Sequence, residues 1–377
     1  MTIHFIHSTP TPHNTYLLDA VASMPGVTLE RHYLQRPTEV PGRPWAAMGV
    51  GDVQADRVHV GYHPWWDWRL LRLAWADRTS VFFVIGWDYP VLVLVLLILG
   101  LRRRPLIMWD DGPSPEALRD FTRWWRPRPL MKRVLIALIN RTDGAYFYTG
   151  ALARAGIVTL GVRERKLVPL PFFVRPGDAV AFRREDYGAA PSDVLLVAGG
   201  RLIPEKGYLD LVEALATLHE RRTAEWYLVL FGSGPERPAI EQAIERAAIG
   251  GRVRLVPWAE PEAFANAVCA ADVFVAPARF DHFPTTVIGA MQAGVPVVAT
   301  DGVGSAAEFV RHGENGMLVP AGDPAALAAA LEVMVGDAPG RARMGVAAAS
   351  TLAAWPVLRG AELIVDEARR AREASWG

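Results

Sequence analysis

The chain has 377 residues, 51% of them hydrophobic and 21% charged, which excludes a disordered chain and calls for two domain cores rather than one. Forty basic residues balance forty acidic ones, which makes the chain a poor candidate for a general nucleic-acid binder and leaves open only a local charged patch. The single cysteine, Cys269, rules out an intrachain disulfide and a cysteine-built zinc site, and it fits a reducing, cytosolic compartment.

In chain order, Met1–His7 shows no basic leader with a small-residue cleavage site, so no secretory signal is expected. It reads as a strand at 3–6, then a loop over 8–14 and a helix from about Thr15. Further strands are expected around 57–61 and at 81–85, 106–109 and 145–148. The longest apolar run, Val91 to Leu101, ends at Arg102, Arg103 and Arg104. As a helix it reaches only ~17 Å, against ~30 Å of hydrocarbon in a bilayer, and predicts a buried helix rather than a membrane span. The polar stretch from Val174 to Ser192 reads as a connection between domains. Beyond it come strands at 194–197, 226–231, 253–256, 273–275 and 295–299, a helix over 207–220, a short helix from Thr285, and a charged amphipathic helix from Ala361 to Trp376. Strand–turn–helix units repeated in this way predict an α/β fold with doubly wound parallel sheets. Nine of the 13 tryptophans precede residue 150, whereas the turn motifs lie in the second half, so the halves are expected to do different work.

Three of those turns have a chemical reading. Gly199, Gly200, Arg201, Lys206 and Gly207 join a strand to a helix. Glycines there let the backbone approach a ligand, the helix start offers free N–H groups, and the two cations suit a diphosphate that must be neutralised both on binding and on leaving. An ordinary turn with solvated charges reads equally well from this motif alone. Gly232, Ser233 and Gly234, with Pro235 early in the next helix, form a second strand-end turn. It lacks the third glycine of a dinucleotide fingerprint and reads as another wall of the same crevice. In the third, Asp281, His282, Phe283, Pro284, Thr285 and Thr286 lead into a short helix whose first N–H groups suit a phosphate or a polarised sugar, with Asp281 placed to accept hydrogen bonds from hydroxyls. His282 reads as an auxiliary contact or as simply solvated.

Val197 to Leu215, Leu228 to Glu236 and Val273 to Leu327 resemble the retaining glycosyltransferases of family 4 (glycosyltransferases group 1). The likeness rests on the Gly-Arg-x-x-x-x-Lys-Gly turn, the Gly-Ser-Gly-Pro turn, and "GAMQAGVPVVATDGVG" followed by "GENGMLVPAGD". It is specific over about 194–335 and topological before that. It implies the GT-B fold: two facing Rossmann-like domains with an inter-domain cleft, residues 1–175 taking the acceptor and 190–350 the nucleotide sugar. A helical segment, 351–377, is expected to pack back on the N-terminal domain. By that likeness Arg201 and Lys206 bind the diphosphate, Asp281 meets the donor sugar, and the backbone of Phe283, Pro284, Thr285 and Thr286 holds sugar and phosphate, beside Gly200, Gly232, Ser233 and Gly234. The implied activity is hexosyl transfer, with retention, from a nucleotide sugar to a sugar or lipid-linked acceptor in bacterial surface polysaccharide or glycolipid synthesis.

Two departures stand out. The family's acidic pair is two glutamates with seven residues between them; here Asp281 fills the first place and Gly289 the second, so the usual bidentate grip on the ribose is missing. Where relatives carry His-Gly after the corresponding strand, this chain has Asp110 and Asp111. These either orient or deprotonate the acceptor hydroxyl, or they mark a helix start capped by Asp111 or Ser114 with Pro115 at its first position. No Asp-x-Asp loop occurs in the second half, so no cofactor and no metal are expected. The departing diphosphate would help deprotonate the incoming hydroxyl, with charge stabilised by Arg201, Lys206 and the helix start.

Residues 117–141 hold seven basic side chains and one acidic, beside Trp124 and Trp125 and an apolar helix at 130–139. With the His63, Trp65, Trp66, Trp68, Arg69 cluster, this suits peripheral contact with an anionic membrane. The alternatives are a core helix with snorkelling arginines and aromatics that stack on a soluble sugar. Two rivals to an active transferase are a catalytically idle protein that binds a nucleotide sugar or a partner, suggested by Gly289, and a nicotinamide oxidoreductase, disfavoured because no G-x-G-x-x-G follows either first strand.

Overall fold

The computed structural model describes residues 1–35, 58–112, 127–175, 177, 179–221, 225–257 and 261–376. Ser114, Pro115, Trp124, Trp125 and the first part of the basic stretch, 117–126, lie outside the described residues. The chain divides into two compact units, one of Met1–Phe173 with Pro356–Gly377 and one of Val174–Trp355.

The first unit is built on seven parallel strands: β1 (Thr2–His7), β2 (Thr28–Tyr33), β3 (Val58–Val60), β4 (Val81–Ile85), β5 (Leu106–Asp110), β6 (Tyr146–Tyr148) and β7 (Leu167–Pro169). Their order is β3-β2-β1-β4-β5-β6-β7. Runs such as Val81–Ile85 are apolar on both faces because helices cover both sides of a parallel sheet. β2 was hidden by its Glu30-Arg31-His32 centre. Arg31 is nonetheless buried, paired with Asp19 at 2.9 Å, and His32 is buried against His4 at 3.1 Å. The first helix runs over Pro12–Ala22, three residues ahead of Thr15, with Pro12 at a position where its missing N–H costs nothing.

The apolar run forms helix Pro90–Leu101, and no helix among the described residues is long and apolar enough to cross a membrane. The last helix, Val357–Trp376, begins four residues before the expected Ala361 and belongs to this first unit. Its Ala361, Ile364, Val365 and Ala368 share a core with Phe5, Leu17 and Trp109. A Cβ at Gly360 would fall 2.5 Å from the Phe173 ring, so only glycine lets the helix come this close.

The second unit has six parallel strands: β8 (Val194–Gly199), β9 (Trp226–Phe231), β10 (Val253–Val256), β11 (Val273–Ala276), β12 (Val297–Thr300) and β13 (Gly316–Val319), ordered β10-β9-β8-β11-β12-β13. β12 starts two residues later than expected because Gly294, at φ +75°, and Pro296 still turn the chain. β13, with only Gly-Met-Leu-Val and a preceding Gly-Glu-Asn turn, is too short for a period to show. Residues 179–187 form short 3₁₀ turns that pack on this unit: Tyr227 donates to the Tyr187 carbonyl at 3.0 Å and Arg184 pairs with Asp272 at 3.2 Å. Strand order reverses between β8 and β11. At such a switch point the loops leaving neighbouring strands diverge and open a crevice beyond their carboxyl ends.

Candidate functional site

The loops leaving β8, β9 and β11 build that edge of the second unit. After β8, Gly200 adopts φ +152°, and the turn is bonded to the one after β9: Gly200 N donates to Phe231 O at 2.9 Å and Leu202 N to Ser233 O at 3.0 Å. A Cβ at Gly232 would sit 2.2 Å from the Gly200 oxygen, and one at Gly234 2.3 Å from the Leu202 oxygen. The two turns therefore meet backbone to backbone. Pro235 lies in the turn itself and not in the next helix, which starts at Arg237.

Beyond the 3₁₀ turn Pro204–Lys206, Gly207 takes φ +65°, and a Cβ there would lie 2.1 Å from the Pro277 oxygen. The loop after β8 is thus pressed against the loop after β11. The Glu205 carbonyl accepts from Arg279 N at 2.8 Å and Phe280 N at 3.2 Å. The Arg279 guanidinium reaches back to the buried Asp210 carboxylate through two bonds of 2.8 and 2.7 Å. In the sequence the only trace of this clasp is the acidic residue in the first turn of helix Tyr208–Arg221.

At the centre, Lys206 Nζ donates to Asp281 Oδ2, with both side chains about one-fifth exposed. Asp281 is fixed through its backbone: its N donates to Gly302 O at 3.0 Å and its O accepts from Gly304 N at 2.9 Å. Arg201 is exposed and has no ion-pair partner among the described residues. Tyr208, buried beneath the glycine turn, has its hydroxyl pKa raised by burial and then by the Asp281 charge.

Helix Thr285–Gln292 starts after Pro284, whose side chain cannot cap it. Thr285 and Thr286 are partly exposed in its first turn, where the helix dipole favours an anion. Phe283 points inward, its ring 6.1 Å from Phe309, so only its backbone belongs to the edge. A Cβ at Gly289 would have its nearest neighbour, Val174, at 3.9 Å, so the missing glutamate is not excluded for want of space.

Asp110 ends β5 in the first unit and Asp111 follows it, so both are part of that unit's own sheet edge. Asp110 Oδ1 accepts from Gly112 N at 2.8 Å, closing its own turn, and Oδ2 receives a long 3.4 Å bond from the buried Tyr146 hydroxyl. Burial, then the neighbouring Asp111 charge, pushes the Asp110 carboxyl up to about 7. Its bonds go to its own turn and to Tyr146; the helix start proposed at Ser114 and Pro115 falls outside the described residues.

Against this geometry the comparisons with known proteins are decisive for the second unit. Residues 181–351 match the family model described as glycosyl transferases group 1. The match takes in almost all of the second unit, Val174–Trp355, and none of the first. The chain is similar to D-inositol 3-phosphate glycosyltransferase of Nocardia farcinica, 34% identical over 322 residues, covering 82% of this chain and 65% of that protein. It is also similar to the lipopolysaccharide core biosynthesis glycosyltransferase LpsE of Rhizobium meliloti, 30% identical over 189 residues, covering 50% of this chain and 53% of that protein. The chain therefore spans about half to two-thirds of the length of these relatives. Among solved structures, Anabaena HepE in complex with UDP superposes with a TM-score of 0.71 at 18% identity, covering 97% of this chain and 99% of that one. Sucrose-phosphate synthase from Thermosynechococcus elongatus does so at 0.71 and 18%, covering 99% and 100%. With two Rossmann-like parallel sheets and these neighbours, the fold is that of the GT-B glycosyltransferases.

Proposed function

We propose that this chain transfers a glycosyl group, with retention and without a divalent metal, from a nucleotide sugar to a sugar or lipid-linked acceptor. The reading is carried by one arrangement: Lys206 paired with Asp281 across the β8/β11 switch point, with Arg201, which has no ion-pair partner among the described residues, in the same loop as Lys206. Two cations and a helix start at one sheet edge suit a diphosphate, whose charge grows as the sugar departs. On donor binding the diphosphate takes over Lys206, and Asp281, released from it, accepts from the sugar hydroxyls. The bond from the anomeric carbon to the diphosphate oxygen breaks with its electron pair staying on that oxygen. The acceptor oxygen bonds to the same face of the carbon, and its proton passes to the leaving diphosphate. Asp110, on the first unit, orients the acceptor hydroxyl.

The relatives named for inositol phosphate and lipopolysaccharide core glycosylation, and the neighbour crystallised with UDP, support a nucleotide-sugar donor and an acceptor from surface glycan or glycolipid synthesis. Gly289 favours one alternative, a protein that binds the donor with little turnover, because no carboxylate stands where the ribose is usually held. Donor hydrolysis and transfer across common nucleotide sugars separate the two. Turnover lost in Arg201→Ala and Lys206→Ala supports the transferase; a melting temperature raised by donor with no turnover supports the idle binder. Neither signal with any donor overturns both.

A further inference from the structure

We infer that the outer face of the first unit formed by helices Trp68–Ala76, Pro90–Leu101 and Pro127–Ile139 docks on the surface of an anionic lipid bilayer. The three helices lie side by side and share one core: Leu70, Leu71 and Ala74 of the first, Val91 to Leu99 of the second, and Leu135, Ile136 and Ile139 of the third cover the same sheet face as Phe82 and Met108. The buried side of each is thereby accounted for, and it is the opposite side that needs an explanation.

Helix Pro90–Leu101 is apolar on every side although it lies in an outer layer. A helix apolar all round belongs inside a protein or against lipid. Leu94, Leu97 and Ile98 are only partly covered, and Leu101 is 72% exposed. On one flank Trp68, Arg72 and Trp75 repeat at i, i+4 and i+7, one stripe of helix Trp68–Ala76, and all three are exposed. On the other flank Met131 and Val134 are exposed. Just before the first helix, Trp65 and Trp66 are both more than 60% exposed. Aromatic rings with one polar edge sit at the headgroup level of a bilayer.

Charge selects the lipid. Residues 68–76, 90–104 and 127–141 hold two, three and four basic residues and no acidic one. The acids at the ends of the first helix are occupied elsewhere: Asp67 caps the helix and binds Arg69 at 2.8 Å, and Asp77 binds His4 at 3.0 Å. Arg102 lies 4.1 Å from the centre of the Trp75 ring, which keeps a cation beside the indole at the rim. A face of one sign repels a second copy of itself, whereas it matches anionic headgroups. This face includes the His63–Arg69 cluster and the part of 117–141 that lies within the described residues, and it adds Arg72, Trp75, Leu101 and the Arg102–Arg104 turn.

The test uses the whole 377-residue chain without nucleotide sugar, so that it is independent of the transfer reading: vesicle binding can fail with transfer intact, and the reverse. Vesicles of phosphatidylcholine with roughly 30 mol% phosphatidylglycerol are compared with phosphatidylcholine alone, at low and high salt. The expected result is sedimentation with the anionic vesicles only, weakened by salt. Arg72→Gln with Arg103→Gln should reduce it roughly twentyfold, and Trp68→Ser with Trp75→Ser at least about tenfold. Quenching of wild-type tryptophan fluorescence by brominated lipid supplies a reading that needs no variant. Protein left in the supernatant and unquenched overturns the inference. So does binding that ignores lipid charge, or a dimer abolished by the same substitutions in protein that binds no vesicle.

Discussion

Lys206 binds Asp281 although 75 residues separate them, and the contact crosses the reversal in strand order between β8 and β11. Under the proposed function, the cation offered to the diphosphate is occupied by the carboxylate offered to the sugar. A donor has to exchange one partnership for two.

The first prediction follows from that exchange. Asp281→Asn leaves Lys206 uncompensated and should tighten nucleoside diphosphate binding about three- to tenfold while lowering turnover at least about a hundredfold. Lys206→Ala should weaken both. Calorimetric titration with UDP alongside a transfer assay checks the opposite signs; diphosphate affinity unchanged in Asp281→Asn would show that the pair does not compete with the ligand.

Gly289→Glu should be tolerated, since the position has ordinary space around its Cβ and lies within helix Thr285–Gln292. Replacing glycine inside a helix stabilises by up to about 1 kcal/mol, and the new carboxylate would supply the bidentate ribose contact. The expected outcome is an unchanged or raised melting temperature and a lower KM for the donor. A higher KM would mean that the ribose lies elsewhere.

Gly207→Ala is the converse case. Its backbone sits at φ +65° and the added methyl would fall 2.1 Å from the Pro277 oxygen. Strain of this kind costs about 1–3 kcal/mol even before the clash. Urea denaturation should show a loss of at least that size, and donor binding should fall with it, because the displaced loop carries Lys206.

Asp110 makes a distinct contribution to the pH dependence of the first unit. Its carboxyl is pushed up to about 7, burial being the main cause, so the folded state holds a proton that the unfolded chain releases near 4. Its contribution is full below about 4, is lost as pH rises toward 7, and is flat above that. His32, pushed down to about 3 by burial, contributes the opposite slope between about 3 and 6.5. The clean measurement is therefore the difference in melting temperature between wild type and Asp110→Asn at pH 5 and pH 8. The variant should lose the advantage the wild type draws from acid. If Asp110 orients the acceptor as an anion, transfer should rise through pH 7 in the wild type only.

The strands that the sequence revealed were those where pattern and burial agree, such as Val81–Ile85 and Trp226–Phe231. β2 escaped because its burial is secured by polar partners, Asp19 for Arg31 and His4 for His32, which lie 12 and 28 residues away. The same limit applied to the site. The glycine turns and the cations could be read as motifs, since each is local. The Lys206–Asp281 pair and the Arg279–Asp210 clasp, 75 and 69 residues apart, depend on two loops meeting at a switch point. Topology supplies that meeting, and no local pattern encodes it.

The contact between the turns at Gly200 and Gly232 has a practical consequence for redesign. Because each turn is the floor on which the other rests, with a backbone oxygen 2.2–2.3 Å from where a Cβ at Gly232 or Gly234 would stand, they form one inheritable part. Transplanting the segment after β8 from a protein with another sugar preference should fail unless the segment after β9 travels with it, and chimeras cut between them should lose fold and donor together.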